Sequence, residues 1–303
     1  MPIPIVLDCD VGHDDAIAIL LALSSPEVEL RAVTAVSGNA PLHHTVANAI
    51  RVLDHADRQD IPVAAGADRP LVRDPFTHGA AHGATGLDGP ELPPPSRRPQ
   101  GHAIDLIADT VRASDQPVTL VPTGPLTNVA LFLARHPDAA ARLDRIVLMG
   151  GCTGFGNVTP NAEFNVWADP DAARRVFTSG LDVTMVGLDV THQALFTVAE
   201  ANALRGAGRA GRLVAELVDF YARSHRDREG TPIHDAVAVA HVIDPELLTL
   251  TACSVEVDCG PVCRGRTICD LHGTTGRPAN ARVATGIRPG FGAWLSERIA
   301  RLG

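Results

Sequence analysis

Short apolar runs alternate with stretches of helical periodicity along most of the chain. Apolar runs of strand length lie at residues 3–7, 28–36, 61–65, 118–121, 145–149 and 183–188. Apolar residues recur at helical spacing over residues 16–23, 45–53, 103–111, 126–134 and 168–177. Strands that alternate with helices in this way predict an α/β fold with a mostly parallel, Rossmann-like central sheet covered by helices.

The order of these elements also bears on domain organisation. No internal repeat or linker divides the sequence, so we expect one α/β domain spanning residues 1–303. Short β-rich segments such as 253–257 follow residue 249, and a last helix is predicted over 291–301. We therefore expect a β-rich C-terminal extension of the α/β domain.

Four carboxylates crowd the predicted turn from the first strand into the first helix: Asp8, Asp10, Asp14 and Asp15. Four acids at one turn repel each other unless a cation lies among them. Asp14 and Asp15 could instead cap the helix and favour its dipole, but that leaves the other two crowded without cause. The cluster therefore predicts a metal site at the carboxyl end of a strand, where such sheets bind ligands.

Composition excludes several classes of function. All 26 basic residues are Arg, and the absence of Lys excludes Schiff-base, Walker-A and general-base lysines. A net charge of -9 without a long basic run argues against nucleic-acid polymers as partners. The longest apolar run, 16–23, is too short to cross a bilayer, and no signal peptide is visible, so we expect a cytoplasmic protein. The six cysteines match no zinc-site spacing and are expected to be core residues.

The Asp-x-Asp pattern of Asp8 and Asp10 allows a second interpretation. Haloacid-dehalogenase-like phosphatases also end a strand in this pattern, with the first Asp as nucleophile and the second as acid. That fold requires a downstream lysine near the phosphate, which this chain lacks. The phosphatase hypothesis predicts Mg²⁺ dependence and release of phosphate from a nucleotide.

Five blocks in order carry a resemblance to the nucleoside hydrolases, the inosine–uridine-preferring ribohydrolase family. They are Asp-Cys-Asp-Val-Gly-His-Asp-Asp-Ala at 8–16, His-Gly-Ala-Thr-Gly-Leu at 82–87, Thr-Gly-Pro-Leu-Thr-Asn at 123–128, the stretch 149–165, and His-Asp-Ala at 234–236. The resemblance spans residues 3 to about 244 and is weaker beyond. It implies hydrolysis of the N-glycosidic bond of ribonucleosides to ribose and a free base.

The resemblance implies a calcium site. Its ligands would be Asp10, Asp15, Asp235 and the main-chain oxygen of Thr123, and Asp10 would also accept the proton of the attacking water as general base. Carboxylate and carbonyl oxygens suit Ca²⁺. A bound cation lowers the pKa of water, which favours attack on a ribosyl cation-like state.

The resemblance also implies how ribose is bound. Asp14 and Asn165 would contact the 2′- and 3′-hydroxyls with Asn39 nearby, and Asn157 and Glu163 would contact the 5′-hydroxyl. A Gly-Asn turn is an alternative role for Asn157. Glu163 lies in an apolar stretch, where a carboxylate needs partners.

The resemblance also implies which residues contact the nucleoside base. His82 and His234 fall in matched blocks and could protonate or hydrogen-bond the departing base. Met149 would line the pocket, although a Met after a strand can equally be core. Tyr221 and His225 lie four residues apart on one predicted helix face and could contact the base. His13, inside the acid cluster, is expected only to cap the helix.

Base preference is predicted from the scarcity of aromatic residues. A purine would be expected to lie between aromatic rings, but the chain has only two Trp, one Tyr and eight Phe. The first block also resembles the pyrimidine-leaning branch, so we expect uridine and cytidine as substrates in nucleoside salvage. A purine or non-specific nucleoside hydrolase and a non-catalytic nucleoside- or ribose-binding protein are the alternatives. The resemblance further implies a homodimer or homotetramer.

Overall fold

The structure is a computed structural model that describes residues 1–76, 79–224 and 229–302. Its strands are β1 (Ile3–Cys9), β2 (Val28–Ala35), β3 (Val63–Ala65), β4 (Val118–Pro122), β5 (Leu143–Met149), β6 (Val183–Val186), β7 (Leu195–Phe196), β8 (Thr231–Pro232), β9 (Leu248–Val257), β10 (Thr267–Asp270) and β11 (Ala281–Ile287). Its α-helices are α1 (His13–Ser24), α2 (Leu42–His55), α3 (Gly79–His82), α4 (Ala103–Ala113), α5 (Thr127–Arg135), α6 (Pro137–Ala140), α7 (Phe164–Ala168), α8 (Pro170–Phe177), α9 (Leu188–Thr191), α10 (Val198–Ala203), α11 (Gly208–Tyr221), α12 (His234–Ile243) and α13 (Phe291–Ile299). Short 3₁₀ turns lie at Leu204–Gly206, Ala222–Ser224, Pro245–Leu247 and Ala300–Leu302.

Nine of the described strands form one sheet, in the order β10-β9-β11-β6-β5-β4-β1-β2-β3. Every neighbouring pair from β11 to β3 is parallel, whereas β9 is antiparallel to both of its neighbours. This mostly parallel sheet with helices confirms the predicted α/β class. The β-rich C-terminal segment is part of the same sheet, because β11 pairs with β6 and brings β9 and β10 alongside.

Two apolar clusters pack on the sheet. One cluster includes residues of α1, α2, α11, α12 and α13, and the other includes residues of α4, α5 and α8. Helices α1 and α12 are buried almost all round, with only Leu23 of α1 partly exposed, as their lack of a polar face predicts. No helix in the described ranges is both long and apolar enough to cross a bilayer.

The elements predicted over 183–188 and 168–177 differ from the observed ones for local reasons. The strand predicted over 183–188 ends at Val186, and Leu188 begins α9. The helix predicted over 168–177 is divided at Asp169, whose side chain accepts the main-chain N–H of Ala172 and caps α8. Pro170 follows as the first residue of α8, where its missing N–H costs nothing.

Asn128 joins the ends of the central strands behind the acid-rich turn. Its Nδ2 donates to Oδ1 of Asp8 at 2.8 Å and to the main-chain oxygen of Ala35 at 3.1 Å, and its Oδ1 accepts the N–H of Ala67 at 2.8 Å. Asp8 is fully buried, and burial raises its pKa to about 6. Asp8 is thus held inside the fold by Asn128 and by the hydroxyl of Thr34.

Replacing Asn128 by Ala should therefore destabilise the fold. Unpartnered buried polar groups cost roughly 1–3 kcal/mol each, so we expect the free energy of unfolding to fall by about 2–5 kcal/mol. Urea denaturation followed by circular dichroism measures this loss. The matched change Asn202→Ala, on the exposed surface of α10, should cost less than about 0.5 kcal/mol. Similar losses in the two variants would contradict the role given to Asn128.

Candidate metal centre and active site

Three carboxylates meet where helices α1 and α12 begin. Asp14 and Asp15 lie in the first turn of α1, and Asp235 lies in the first turn of α12. Their carboxylate oxygens lie within 4.8 Å of one another, and all three residues are buried. The N-termini of both helices favour negative charge. Three acids at this spacing nevertheless repel each other unless a cation is bound.

Burial and mutual repulsion raise the pKa of each of these acids. Burial raises the pKa of Asp235 well above its ordinary value, and the nearby carboxylates raise it further. Burial, followed by the charge of Asp15, raises the pKa of Asp14 to about 7. The same two causes raise the pKa of Asp10 well above its ordinary range, and burial raises that of Asp15. A cation would supply the charge that lets these groups ionise together at neutral pH.

Hydrogen bonds fix the carboxylates of Asp15 and Asp10. Oδ2 of Asp15 accepts the main-chain N–H of Gly12 at 2.8 Å, and Oδ1 accepts the hydroxyl of Thr123 at 2.7 Å. Oδ2 of Asp10 accepts the main-chain N–H of Asn39 at 2.7 Å. These bonds draw the ends of β1, β2 and β4 to one edge of the sheet.

The tight carboxylate group differs by one carboxylate from the predicted ligand set. The sequence predicts Asp10, Asp15, Asp235 and the Thr123 main-chain oxygen, whereas the group within 4.8 Å contains Asp14 and not Asp10. Asp10 adjoins it closely enough for its charge to raise the pKa of Asp235. The donors are oxygens alone, which fits a hard divalent cation better than a metal that prefers thiolate or imidazole.

Asn165 connects this cluster to the end of β5. Its Nδ2 donates to the main-chain oxygen of Thr123 at 2.7 Å and to that of Met149 at 3.1 Å. Both Asn165 and Met149 are buried. The structure therefore brings together three of the predicted site residues, although they are separated by many positions in the sequence.

Glu163 caps helix α7 and orients Asn165. Its Oε1 accepts the N–H of Asn165 at 2.8 Å, and its Oε2 accepts the N–H groups of Gly151 at 2.8 Å and Val166 at 3.1 Å. Burial raises the pKa of Glu163 to about 7, against the lowering effect of these three donors. This capping role was not predicted from the sequence.

The two other predicted ribose residues occupy different surroundings. Asn39 is buried, and a Cβ atom on Gly12 would lie 2.8 Å from its Nδ2, so Asn39 adjoins the first turn of α1. Asn157 is exposed, and its Oδ1 accepts the N–H of Phe164 at 2.9 Å. The structure thus gives Asn157 a local contact within its loop, which accords with the alternative turn role.

A group of rings forms a second part of the site. His82, at the end of α3, is buried, and its ring centroid lies 5.0 Å from that of Tyr221. The ring of His13 lies 5.3 Å from His82 and 5.5 Å from Tyr221. The structure therefore brings two of the predicted base-side residues together. The predicted residue His225 lies outside the described residues.

His234 is the first residue of α12 and directly precedes a carboxylate of the cluster. Its Nδ1 lies 2.8 Å from the hydroxyl oxygen of Thr191, and its ring meets that of His192 edge-on at 5.5 Å. His234 is buried. Helix α12 therefore supplies one predicted base-side residue and one carboxylate from consecutive positions.

The sequence-based expectation for His13 was wrong. The N-cap of α1 is Gly12, and the His13 side chain turns away from the helix end to contact the loop around residues 82–88. Burial lowers the pKa of His13 to about 4. The only sequence signal was a histidine inside an acid-rich motif, which does not reveal a partner 69 positions downstream.

Comparison with known proteins gives matches over nearly the whole chain. The family model described as inosine-uridine preferring nucleoside hydrolase matches residues 5–290. A pyrimidine-specific ribonucleoside hydrolase RihA of Shewanella sp. (strain ANA-3) is 48% identical over 305 residues, which cover 98% of this chain and 96% of that protein. The RihA of Escherichia coli O7:K1 is 47% identical over 307 residues, or 99% of each chain.

Solved structures match the fold as well. The purine-preferring ribonucleoside hydrolase from Gardnerella vaginalis superposes with a TM-score of 0.92 at 36% identity, covering 99% of this chain and 98% of that one. An inosine-uridine preferring nucleoside hydrolase from Bacillus anthracis superposes with a TM-score of 0.79 at 20% identity, covering 99% and 100%. The second likeness supports the fold alone.

The carboxylate cluster predicts opposite effects of pH with and without a divalent cation. The pKa of Asp14 rises from 3.8 to about 7 on folding, so the metal-free folded protein holds a proton that the unfolded chain releases. The protonated Asp14 therefore contributes stability to the metal-free folded protein that is fully present below the pKa of Asp14 in the unfolded chain. This stability is lost as pH rises toward about 7. A cation binds the ionised carboxylates, so its stabilising effect should increase over the same interval.

Thermal unfolding in chelator and in excess Ca²⁺, from about pH 5 to pH 8, checks this prediction. Near neutral pH, a cation at a hundredfold excess over its Kd should stabilise by about 2.7 kcal/mol. Asp235→Asn should lose most of this gain, whereas Asp219→Asn, on an exposed part of α11, should keep it. A cation effect that is independent of pH, or that survives in Asp235→Asn, would contradict the site.

Proposed function

The chain belongs to the inosine–uridine preferring nucleoside hydrolase family, and from that premise we propose a Ca²⁺-dependent hydrolysis of ribonucleosides to ribose and free base. The observation that carries the proposal is the buried oxygen cluster at the N-termini of α1 and α12. The family match also confirms the resemblance that the five sequence blocks indicated. The absence of Lys and this match leave no support for the phosphatase hypothesis.

A preference for pyrimidine nucleosides is the proposed specificity. Its support is the name of the relatives that are 47–48% identical, which are pyrimidine-specific ribonucleoside hydrolases. The structural relative at 36% identity is named purine-preferring, so the fold alone does not determine the base. We propose uridine and cytidine as the substrates.

The ion would be held by Asp10, Asp15, Asp235 and the main-chain oxygen of Thr123. The tight carboxylate group consists of Asp14, Asp15 and Asp235, and its all-oxygen donor set supports Ca²⁺. When bound, the cation would lower the pKa of a water molecule. Asp10 would accept the proton of the attacking water, and the Asn39 N–H holds its Oδ2 at 2.7 Å for this task.

Ribose would be bound by the residues around the cluster. Asp14 and Asn165 would contact the 2′- and 3′-hydroxyls, with Asn39 beside them. Glu163 would position Asn165 through its 2.8 Å bond to the Asn165 N–H, in addition to any contact with the 5′-hydroxyl. Asn157 would reach the 5′-hydroxyl only if its bond to the Phe164 N–H gives way.

The departing base would meet the ring group. His82 and His234 are proposed as the proton donors. Tyr221, whose ring packs against His82, is proposed to contact the base. The thioether of Met149, next to Asn165, would line the pocket. Helix α11 ends at Tyr221, so the predicted helix face shared by Tyr221 and His225 is not carried by this helix. His225 lies outside the described residues and stays a proposed base contact.

We also propose a single domain over residues 1–303, a homodimer or homotetramer, and a cytoplasmic role in nucleoside salvage. The family match over residues 5–290 supports a single functional unit. Light scattering at several protein concentrations would give the oligomeric state directly.

The direct test of function is chromatography of uridine, cytidine, inosine and adenosine after incubation with the protein, with and without a calcium chelator. We expect release of uracil and cytosine that the chelator abolishes and that added Ca²⁺ restores. Release of purines at equal rates would overturn the proposed specificity. Tight nucleoside binding without release of any base would contradict the hydrolase proposal and support the alternative, a non-catalytic nucleoside-binding protein.

Replacing Asp10 by Ala should remove a metal ligand and the general base together. We expect kcat to fall by roughly a thousandfold or more, while the circular dichroism spectrum is kept. Asp115→Ala is the matched control, because Asp115 is exposed and precedes the amino-terminal end of β4, whereas the carboxylate cluster lies at the carboxyl ends of the strands. Retention of more than about a tenth of the wild-type kcat in Asp10→Ala would contradict the proposed mechanism.

A further inference from the structure

We propose that Asp189 is a positioning residue that holds the loop of residues 152–162 against helix α9, and through this loop sets the preference for nucleosides that carry a 5′-hydroxyl group. The inference deepens the proposed function and rests on it. Of the two proposed 5′-hydroxyl contacts, Asn157 lies within the 152–162 loop and Glu163 directly follows it. Asp189 itself belongs to α9, whereas the carboxylate cluster is carried by α1 and α12.

Both carboxylate oxygens of Asp189 bind the first residues of the loop. Oδ2 accepts the main-chain N–H of Thr153 at 2.7 Å. Oδ1 accepts the hydroxyl of Thr153 at 2.8 Å and the main-chain N–H of Gly154 at 3.0 Å. Three donors from two consecutive residues, all bound to one charged carboxylate, fix both the position and the direction of the backbone at this point.

The turn that precedes Asp189 holds the residue before the loop. The main-chain N–H of Leu188 donates to the main-chain oxygen of Gly151 at 3.0 Å. A Cβ atom on Gly187 would lie 2.8 Å from that oxygen, so glycine permits the close approach. The N–H of Gly151 donates in turn to Oε2 of Glu163 at 2.8 Å. Gly151 therefore connects the turn at residues 187–189 to one of the proposed 5′-hydroxyl contacts.

The 152–162 loop is also closed on itself. The main-chain N–H of Gly156 donates to the main-chain oxygen of Pro160 at 3.1 Å, and that of Asn157 donates to the main-chain oxygen of Ala162 at 3.1 Å. Oδ1 of Asn157 accepts the N–H of Phe164 at 2.9 Å, which joins the loop to the start of α7. Because its two arms are bonded together, a displacement at residues 153–154 would reach Asn157 as well.

These contacts bear on how the 5′-hydroxyl would be read. A substrate hydroxyl favours the reaction only when its partners are held at hydrogen-bonding distance, and a small displacement removes most of that gain. Asn157 is exposed, so its position depends on the loop rather than on packing in the core. A nucleoside without a 5′-hydroxyl does not use these partners. Its turnover should therefore be insensitive to the bonds made by Asp189.

The test compares uridine with 5′-deoxyuridine in variants of the loop contact. In Asp189→Asn an amide group that cannot accept replaces one carboxylate oxygen, so at least one of the three donors loses its partner. Thr153→Val removes a single bond, that of the hydroxyl, and keeps both main-chain donors. Asp109→Asn, on an exposed part of α4, is the matched control. kcat and KM are measured for both substrates, and circular dichroism checks the fold of each variant.

We expect Asp189→Asn to lower kcat/KM for uridine by roughly ten- to thirtyfold, while kcat/KM for 5′-deoxyuridine stays within about twofold of the wild type. Thr153→Val should show a loss of about threefold on uridine alone, and it keeps the test decisive if Asp189→Asn does not fold. Equal losses on both substrates, no loss on uridine, or a wild type that hydrolyses both substrates equally well would overturn the inference. A wild type that hydrolyses neither would instead refute the proposed function.

A second substitution in α9 separates the role of Asp189 from general damage to this helix. The hydroxyl oxygen of Thr191 lies 2.8 Å from Nδ1 of His234, on the side of the proposed base contacts. Thr191→Val should therefore lower kcat/KM for uridine and 5′-deoxyuridine by the same factor. A loss confined to uridine in this variant would overturn the inference, because any disturbance of α9 would then produce the effect assigned to Asp189.

Amide hydrogen exchange followed by mass spectrometry gives a readout that does not depend on activity. The N–H groups of Thr153 and Gly154 lose their acceptor support in Asp189→Asn. We expect exchange in a peptide covering residues 152–157 to become roughly tenfold faster, while peptides of α12 exchange as in the wild type. Unchanged exchange in the 152–157 peptide would overturn the inference, whatever the effect on uridine.

Discussion

Electrostatic repulsion among buried carboxylates is the constraint on which the rest of the site depends. Asp14, Asp15 and Asp235 lie within 4.8 Å of one another in the interior, where water cannot screen them. Two helix N-termini reduce the cost of their charges but do not cancel it. A bound divalent cation would cancel the remaining repulsion. The stability of the fold, the ionisation of these carboxylates and metal binding therefore depend on one another. The helices α1 and α12 can begin so deep in the protein because they are apolar along nearly their whole length.

The surroundings of the cluster are held mainly by main-chain groups. Glu163 uses both oxygens to fix the start of α7, which places Asn165, and Asn165 in turn bridges the carbonyl groups of Thr123 and Met149. The start of α7 is thereby connected to the main chain at the ends of β4 and β5. Each of these hydrogen bonds joins a buried carboxylate or amide to the main chain, so the network links three separate segments.

The sequence predicted the parts that depend on local pattern. The strand and helix around residues 8–15 follow from periodicity, and the crowding of Asp8, Asp10, Asp14 and Asp15 is visible without a structure. The membership of the tight group could not be predicted, because it depends on the angle at which α12 meets α1. Asp8 was counted in the cluster but is bonded to Thr34 and Asn128 behind it. Only the resemblance to a family brought in Asp235, which lies more than two hundred positions from the first block.

The first turn of α1 contacts both the carboxylate cluster and the loop that carries His82. Successive helical residues point about 100° apart, so neighbouring side chains in one turn reach different partners. Asp14 and Asp15 meet α12, whereas His13 meets the loop that carries His82. The same turn begins at Gly12, whose N–H binds Asp15 and whose lack of a side chain admits His82. A shift of this turn would move His13, Asp14 and Asp15 together. The proposed metal site and the proposed base contact are thus joined by one short segment of backbone.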